Sequence, residues 1–138
     1  MNFKYKVKVA KQQGGYIAEF VDLPNIFTEG NTLDEVLFNA KDALEETLHV
    51  LLDESLDFAK PSTDLLAKEK GMYLIEPKPV LQVALLIKFS DKKISEIARD
   101  MGTSWGNVQK LLKPGANPTL KQIEKLANSV GKNLSLTW

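Results

Sequence analysis

The sequence predicts an α+β chain in two modules: a hairpin–helix–strand module, then an all-α module that ends in a β-strand. Three observations carry this. Phe3, Tyr5, Val7 and Val9 alternate with Lys4, Lys6 and Lys8, the period-2 pattern of a half-buried strand. Thr32 and Glu35 form a T-x-x-E capping box just before a long apolar run of helical period. Residues 93–113, KISEIARDMGTSWGNVQKLLK, resolve into two short helical patterns about a Gly. Pro77 and Pro79 mark a linker, so the modules are read as 1–77 and 78–138.

The first module opens on the alternating strand, whose lysine face discourages edge-to-edge association. Gln12-Gln13-Gly14-Gly15 makes a turn, and Tyr16 to Val21 forms the second hairpin strand. Asp22-Leu23-Pro24-Asn25 ends that strand; Pro24 fixes φ and Asn25 tolerates left-handed backbone. In the helix that follows, Leu33, Leu37, Ala40, Leu44, Leu48 and Leu51 line one face, widened by Val36, Ala43 and Val50. Asp34, Glu35, Asp42, Glu45, Glu46, Asp53 and Glu54 give it an acidic exterior. Residues 55–71 read as a loop with a turn of helix at Asp64 to Lys70, and Met72 to Glu76 as a third strand.

In the second module, Val80 to Phe89 is the first helix, with Leu81, Ala84, Leu85 and Lys88 at helical spacing. Ile94, Ile97, Ala98 and Met101 mark the next, and Gly102 stops it. Thr103 and Ser104 are N-cap residues for a third helix whose Val108, Leu111 and Leu112 face the core. Two short helices about a Gly turn are the helix-turn-helix unit that sets its second helix in a DNA major groove. Trp105, Gly106, Gln109 and Lys110 then face outward, with Asn107 beside them. Asn, Gln and Lys carry the donors and acceptors that read base edges. Lys92, Lys93 and Lys113 fall where phosphates run, so Lys93, Thr103, Ser104 and Lys113 join these residues as DNA-binding candidates. Trp105 has two readings, a contact with a thymine methyl or sugar, or a fold back onto the domain. Gly106 lowers helix stability and permits close backbone approach to DNA.

Thr119 to Val130 forms the last helix, opened by a Thr119-Leu120-Lys121-Gln122 box and closed by Gly131. Leu120, Ile123, Leu126, Ala127 and Val130 are its expected buried side. The final run alternates, with Leu134, Leu136 and Trp138 on one side. A lone strand leaves backbone groups unpaired. It either pairs with its copy in a second subunit, giving a homodimer or a tetramer, or folds back on its own chain.

Composition narrows the function classes. A chain of 138 residues with 43% hydrophobic residues is globular, and with no cysteine it holds neither disulfides nor cysteine-ligated zinc. No apolar stretch reaches a membrane span, and MNFKYKVKV is not a signal-peptide core, so a cytoplasmic, membrane-free protein is expected. The zero net charge conceals a split. Residues 1–77 hold 8 Lys and 14 acids, or −6, while residues 78–138 hold 9 Lys, Arg99 and 4 acids, or +6. The basic half suits phosphate and the acidic half a basic protein, unless the two halves simply attract each other.

The run GGYIAEFVDLPNIFTEGNTLDEVLFNAKDALEE resembles the N-terminal domain of HicB antitoxins. That family shows G-G-Y, D-L-P-G, T-x-G-x-T and a helix opening with E-A and continuing A-x-x-A-L. Here these are Gly14-Gly15-Tyr16, Asp22-Leu23-Pro24-Asn25, Thr28-Glu29-Gly30-Asn31-Thr32, and Glu35-Val36 to Ala40, Ala43 and Leu44. Asn25 replaces Gly and Val36 replaces Ala. One branch of the family carries a Cro/repressor-like helix-turn-helix in its C-terminal half, so the resemblance spans nearly the whole chain. It implies a partial RNase H-like N-terminal domain that covers a HicA toxin, a small mRNA-cleaving RNase. It also implies a C-terminal domain that binds the operon's own promoter. Against the repressor-type motif, Trp105, Gly106 and Lys110 match base-reading positions, and Ile94 stands where Gln is frequent.

Catalysis is not expected. Magnesium-dependent nuclease chemistry needs several converging carboxylates, and the first strand has none. Asp22 is read as a turn or interface residue, and His49, the one histidine, as a solvated residue on the exposed helix side. No cofactor or metal is implied. Tyr16, Glu19, Asp22 and the acidic face of the long helix are the toxin-facing candidates. The rival function is a stand-alone transcriptional repressor whose first domain senses a ligand or assembles subunits.

Overall fold

The computed structural model describes residues 3–62, 70–113 and 115–131. In chain order the elements are β1 (Tyr5–Gln12), β2 (Gly15–Phe20), β3 (Phe27–Gly30), α1 (Leu33–Asp53), β4 (Met72–Ile75), α2 (Pro79–Lys88), α3 (Ile94–Met101), α4 (Trp105–Leu111) and α5 (Leu120–Val130). The architecture is mixed, with an N-terminal antiparallel sheet and several helices. Contacts divide it into two compact units, Phe3–Leu48 with Asp57–Pro77, and His49–Leu56 with Lys78 onward. The end of α1 therefore groups with the helices that follow residue 78.

In the first unit the sheet order is β3-β2-β1-β4, with every neighbouring pair antiparallel. Val7 pairs with Phe20, Val9 with Ala18 and Tyr5 with Ile75. Strand side chains alternate between faces, so these residues share one side of the sheet. Tyr5, Val7, Ala18, Phe20 and Ile75 are buried there, and Val36, Ala40, Leu44 and Leu48 of α1 complete the core. Lys6 and Lys8 point the other way, as the alternation predicts.

β3 goes beyond the predicted hairpin and third strand. Its sequence, FTEG, contains no buried residue, so no apolar pattern announces it. It forms because β2 offers a free edge: Glu19 pairs with Phe27 and Tyr16 with Gly30. Asn25 adopts φ 69° in the bend before it, the left-handed backbone where the family pattern has Gly. A Cβ on Gly30 would lie 2.5 Å from the Val36 nitrogen, so the end of β3 and the start of α1 approach too closely for any side chain there.

The Glu35 N–H donates to the Thr32 hydroxyl across 3.1 Å and starts α1 where the capping box predicts. The buried residues of α1 are Val36, Ala40, Leu44, Leu48 and Leu52. Each step of four carries this stripe about 40° around the helix. The expected stripe ended on Leu51 and Val50. Instead Val50 is exposed and Leu52 is buried, because the last turn packs within the second unit. His49 corrects its expected solvation for the same reason. It is half-buried, and its Nε2 is enclosed with no hydrogen-bond partner among the described residues.

In the second unit, α2 is buried along the whole run Leu81 to Ile87, including Gln82, instead of on one side. A helix apolar all round is a core helix. α3 buries Ile97, Ala98 and Met101 and stops at Gly102, whose φ of 68° is the left-handed cap. α5 carries the full predicted box: Gln122 N–H donates to the Thr119 hydroxyl, and Thr119 N–H to the Gln122 side chain. It buries Ile123, Leu126 and Ser129, and Gly131 caps it at φ 68°. Leu120, expected in the core, is 71% exposed. The buried stride of three turns back by about 60° per step, which puts Leu120 about 120° from Leu126. The loop turn at 64–69 and the terminal strand, with Leu134, Leu136 and Trp138, lie outside the described residues.

Candidate functional site

The DNA-binding candidates converge on the outer side of α4. Val108 and Leu111 are buried beneath it. Helical rotation then sends Trp105, Gly106, Asn107 and Lys110 outward, and all four are exposed. Trp105 is 56% exposed, so more than half of its surface is open to solvent. Ser104 caps the helix by accepting a hydrogen bond from the Asn107 N–H at 3.2 Å. The Asn107 amide in turn donates to the Thr103 hydroxyl at 2.8 Å, so Thr103 and Asn107 hold each other across the first turn. Thr103 and Gln109 are half-buried. Beside Gly106 an added Cβ would meet nothing nearer than the Ser104 hydroxyl at 4.0 Å, so the surface there is open.

Lysines flank this row on both sides. A depression lined by Lys88, Lys92, Lys93, Gln109 and Lys113 lies at the start of α3, where Lys93 is the N-cap. A second, lined by Lys110, Lys113, Gly115 and Asn117, borders the end of α4. These cations are not all equivalent. Lys92 is paired with Asp100 at 2.6 Å. Lys113 donates to the Asp53 carbonyl at 3.5 Å, at the C-terminal end of α1, and the Lys88 ammonium to the Leu56 carbonyl at 3.2 Å, in the turn that follows it. Cations suit that negative end of a helix dipole. The hydrogen bond from Lys92, with a second from Ser129, holds the Asp100 carboxyl below its ordinary range. Sequence reading named Lys92 but not its partner, because only the fold brings Asp100 to it.

The toxin-facing candidates do not form one patch. Tyr16 and Glu19 stand three apart on β2 and so project from opposite faces of the sheet. Tyr16 shares the face of Ala18 and Phe20, while Glu19 lies opposite Lys8 on the other. Asp22 accepts a hydrogen bond from the Ser62 N–H at 2.9 Å and so anchors the chain after α1. Nearby, the buried Tyr5 hydroxyl donates to the Ala59 carbonyl at 3.2 Å; burial first, then the Asp22 charge, push its pKa far up. Sequence reading passed over Phe38, which is 73% exposed in the middle of the acidic side of α1. Its helical position, opposite the apolar stripe, was the available signal. Among the described residues no group of three or more His, Cys, Asp or Glu is placed to hold a metal, and no helix is long and apolar enough to cross a membrane.

The sheet-and-helix unit, with the motifs quoted above laid along it in order, defines a class of bacterial antitoxins. The HicB_like antitoxin family of bacterial toxin-antitoxin systems matches residues 2–84, and the chain belongs to that family. It is an antitoxin-family protein and not an enzyme. Antitoxin HicB 2 of Photorhabdus laumondii is 27% identical over 98% of this chain and 96% of its own. Antitoxin HicB of Escherichia coli K12 is 28% identical over 90% of each. Among solved structures, a chain of a HicA3 and HicB3 toxin-antitoxin complex is 25% identical, covering 55% of this chain and 99% of its own, with a TM-score of 0.44. The N-terminal domain of Burkholderia pseudomallei antitoxin HicB is 22% identical over 53% of this chain and 95% of its own, with a TM-score of 0.42.

Proposed function

We propose that the chain binds and inhibits a HicA-type, mRNA-cleaving toxin through a partial RNase H-like domain (1–77). It represses its own operon by gripping promoter DNA through a helix-turn-helix domain (78–138). Family membership supports the toxin half, and the acidic balance of residues 1–77 suits a partner that must be basic where it grips RNA.

One observation carries the DNA half. Trp105, Gly106, Asn107 and Lys110 form an exposed row on a capped helix whose opposite side is core. α3, the left-handed Gly102 and α4 make the helix–turn–helix unit, with α4 in the major groove. In this reading Asn107, Gln109 and Lys110 address base edges, Trp105 packs on a thymine methyl or sugar, and Lys93, Thr103, Ser104 and Lys113 address phosphates. Pairing of two copies through Leu134, Leu136 and Trp138 would set two recognition helices about 34 Å apart, the spacing of a palindromic operator. The protein acts in the cytoplasm, where both partners are made.

A gel shift with the chain's own promoter tests this. Binding that weakens steeply with salt and exceeds that to random duplex is the expected result. Equal affinity for both duplexes removes the repressor half. No small toxin reading frame beside the gene, with promoter binding intact, would favour the stand-alone repressor.

A further inference from the structure

We infer that the outward side of α1, centred on Phe38, is the surface that docks the basic toxin. This rests on the toxin-binding reading above and names the face that performs it. Phe38 points away from the buried stripe and is 73% exposed, although nothing in the fold needs a phenylalanine there. Its neighbours at three and four positions are Asp34, Glu35, Lys41 and Asp42, with Glu46 one turn further on, and all five are exposed. Asp34 and Glu35 also suit the positive start of the helix, but Asp42 and Glu46 lie beyond the first turn, where the dipole gives no reason for acids. An exposed aromatic side chain among mostly acidic neighbours, with Lys41 the one cation, is the arrangement of an interface anchor with a polar rim.

The same unit has a second exposed phenylalanine, Phe27, which is 63% exposed on the sheet face away from the core. Charge separates the two. Phe27 pairs with Glu19, and Glu29 lies on the same face, but Lys8 opposite Glu19, Lys6 and, before β1, Lys4 outnumber these two acids. A cationic RNA-gripping surface is repelled by that lysine row and attracted by the acids of α1. The occupant of the α1 face is therefore a basic protein surface with a pocket wide enough for one phenyl ring.

The test uses the full chain and the inactivated HicA-type toxin encoded beside its gene, titrated by calorimetry. Phe38→Ser and Asp42→Lys are each expected to weaken binding about tenfold or more, the Asp42→Lys loss being larger at low salt. Phe27→Ser is expected to change affinity less than about twofold. All three positions are exposed, and an unchanged circular dichroism spectrum and thermal midpoint show that each variant is folded. Full toxin affinity in Phe38→Ser and Asp42→Lys, or loss confined to Phe27→Ser, overturns the inference while leaving the toxin partnership standing. If the unaltered chain does not bind the toxin, the partnership itself fails and the docking face with it.

Discussion

The Ser129 hydroxyl donates to the Asp100 carboxylate across 2.8 Å, tying α5 to α3. Ser129 is buried and polar at the end of the stripe begun by Ile123 and Leu126, and this bond explains its presence. Ser129→Ala is expected to lower Tm by a few degrees. The same carboxylate sets an acid limit. Its pKa is depressed in the folded chain, so its contribution is complete above the ordinary carboxylate range, about pH 4, and is lost as pH falls through the lower folded value. Urea unfolding between about pH 6 and pH 3 is expected to show an acid-side loss that is smaller in Asp100→Asn. An identical pH profile in both proteins would remove this role.

The two glycines around the α3–α4 turn are expected to respond in opposite directions. Gly102 holds φ 68°, so Gly102→Ala is expected to cost about 1 kcal/mol. Gly106 is helical with open space where a Cβ would go, so Gly106→Ala is expected to raise stability by roughly 0.5 kcal/mol. If the backbone at Gly106 lies against DNA, that stabler variant binds the promoter more weakly. Thermal melts and anisotropy on the same samples separate these effects, and a Gly106→Ala protein with full promoter affinity removes the close approach.

Lys110→Ala and Asn107→Ala are expected to weaken promoter binding and leave toxin neutralisation unchanged. Lys110→Ala also lowers the salt slope by about one if its partner is a phosphate, and relaxes sequence preference if its partner is a base edge. Loss of neutralisation with either change contradicts the separation of the two surfaces.

Core and surface leucines of α5 give a structural check. Leu126→Ala is expected to destabilise by about 2–5 kcal/mol, because Leu126 is fully buried. Leu120→Ser is expected to stay within about 0.5 kcal/mol of the unaltered chain, since Leu120 is mostly exposed. Denaturant midpoints measure both, and a large loss in Leu120→Ser points to a contact made by a second copy.

Local chemistry made much of this fold legible. Strict alternation marked β1, capping hydroxyls at Thr32, Ser104 and Thr119 marked three helix starts, and Gly102 and Gly131 marked two stops. What escaped was set by distant partners. β3 has no buried residue and exists through its pairing with β2. Leu52, Val50 and His49 depend on the second unit receiving the end of α1. The split of Tyr16 from Glu19 was already implicit in strand periodicity, whereas the bond from Ser62 to Asp22 spans 40 residues and has no sequence signature. The row from Trp105 to Lys110 was readable because one short helix carries all of it.

The central claim is that one antitoxin chain has two separate surfaces, with α4 gripping the operator. Anisotropy of the full chain on its own promoter and on a scrambled duplex of equal length, over a salt series, tests it most directly. A preference for the promoter of about 10³ or more is expected, reduced about tenfold or more in Lys110→Ala if its partner is a base edge. Equal affinity for the two duplexes at every salt concentration would contradict it.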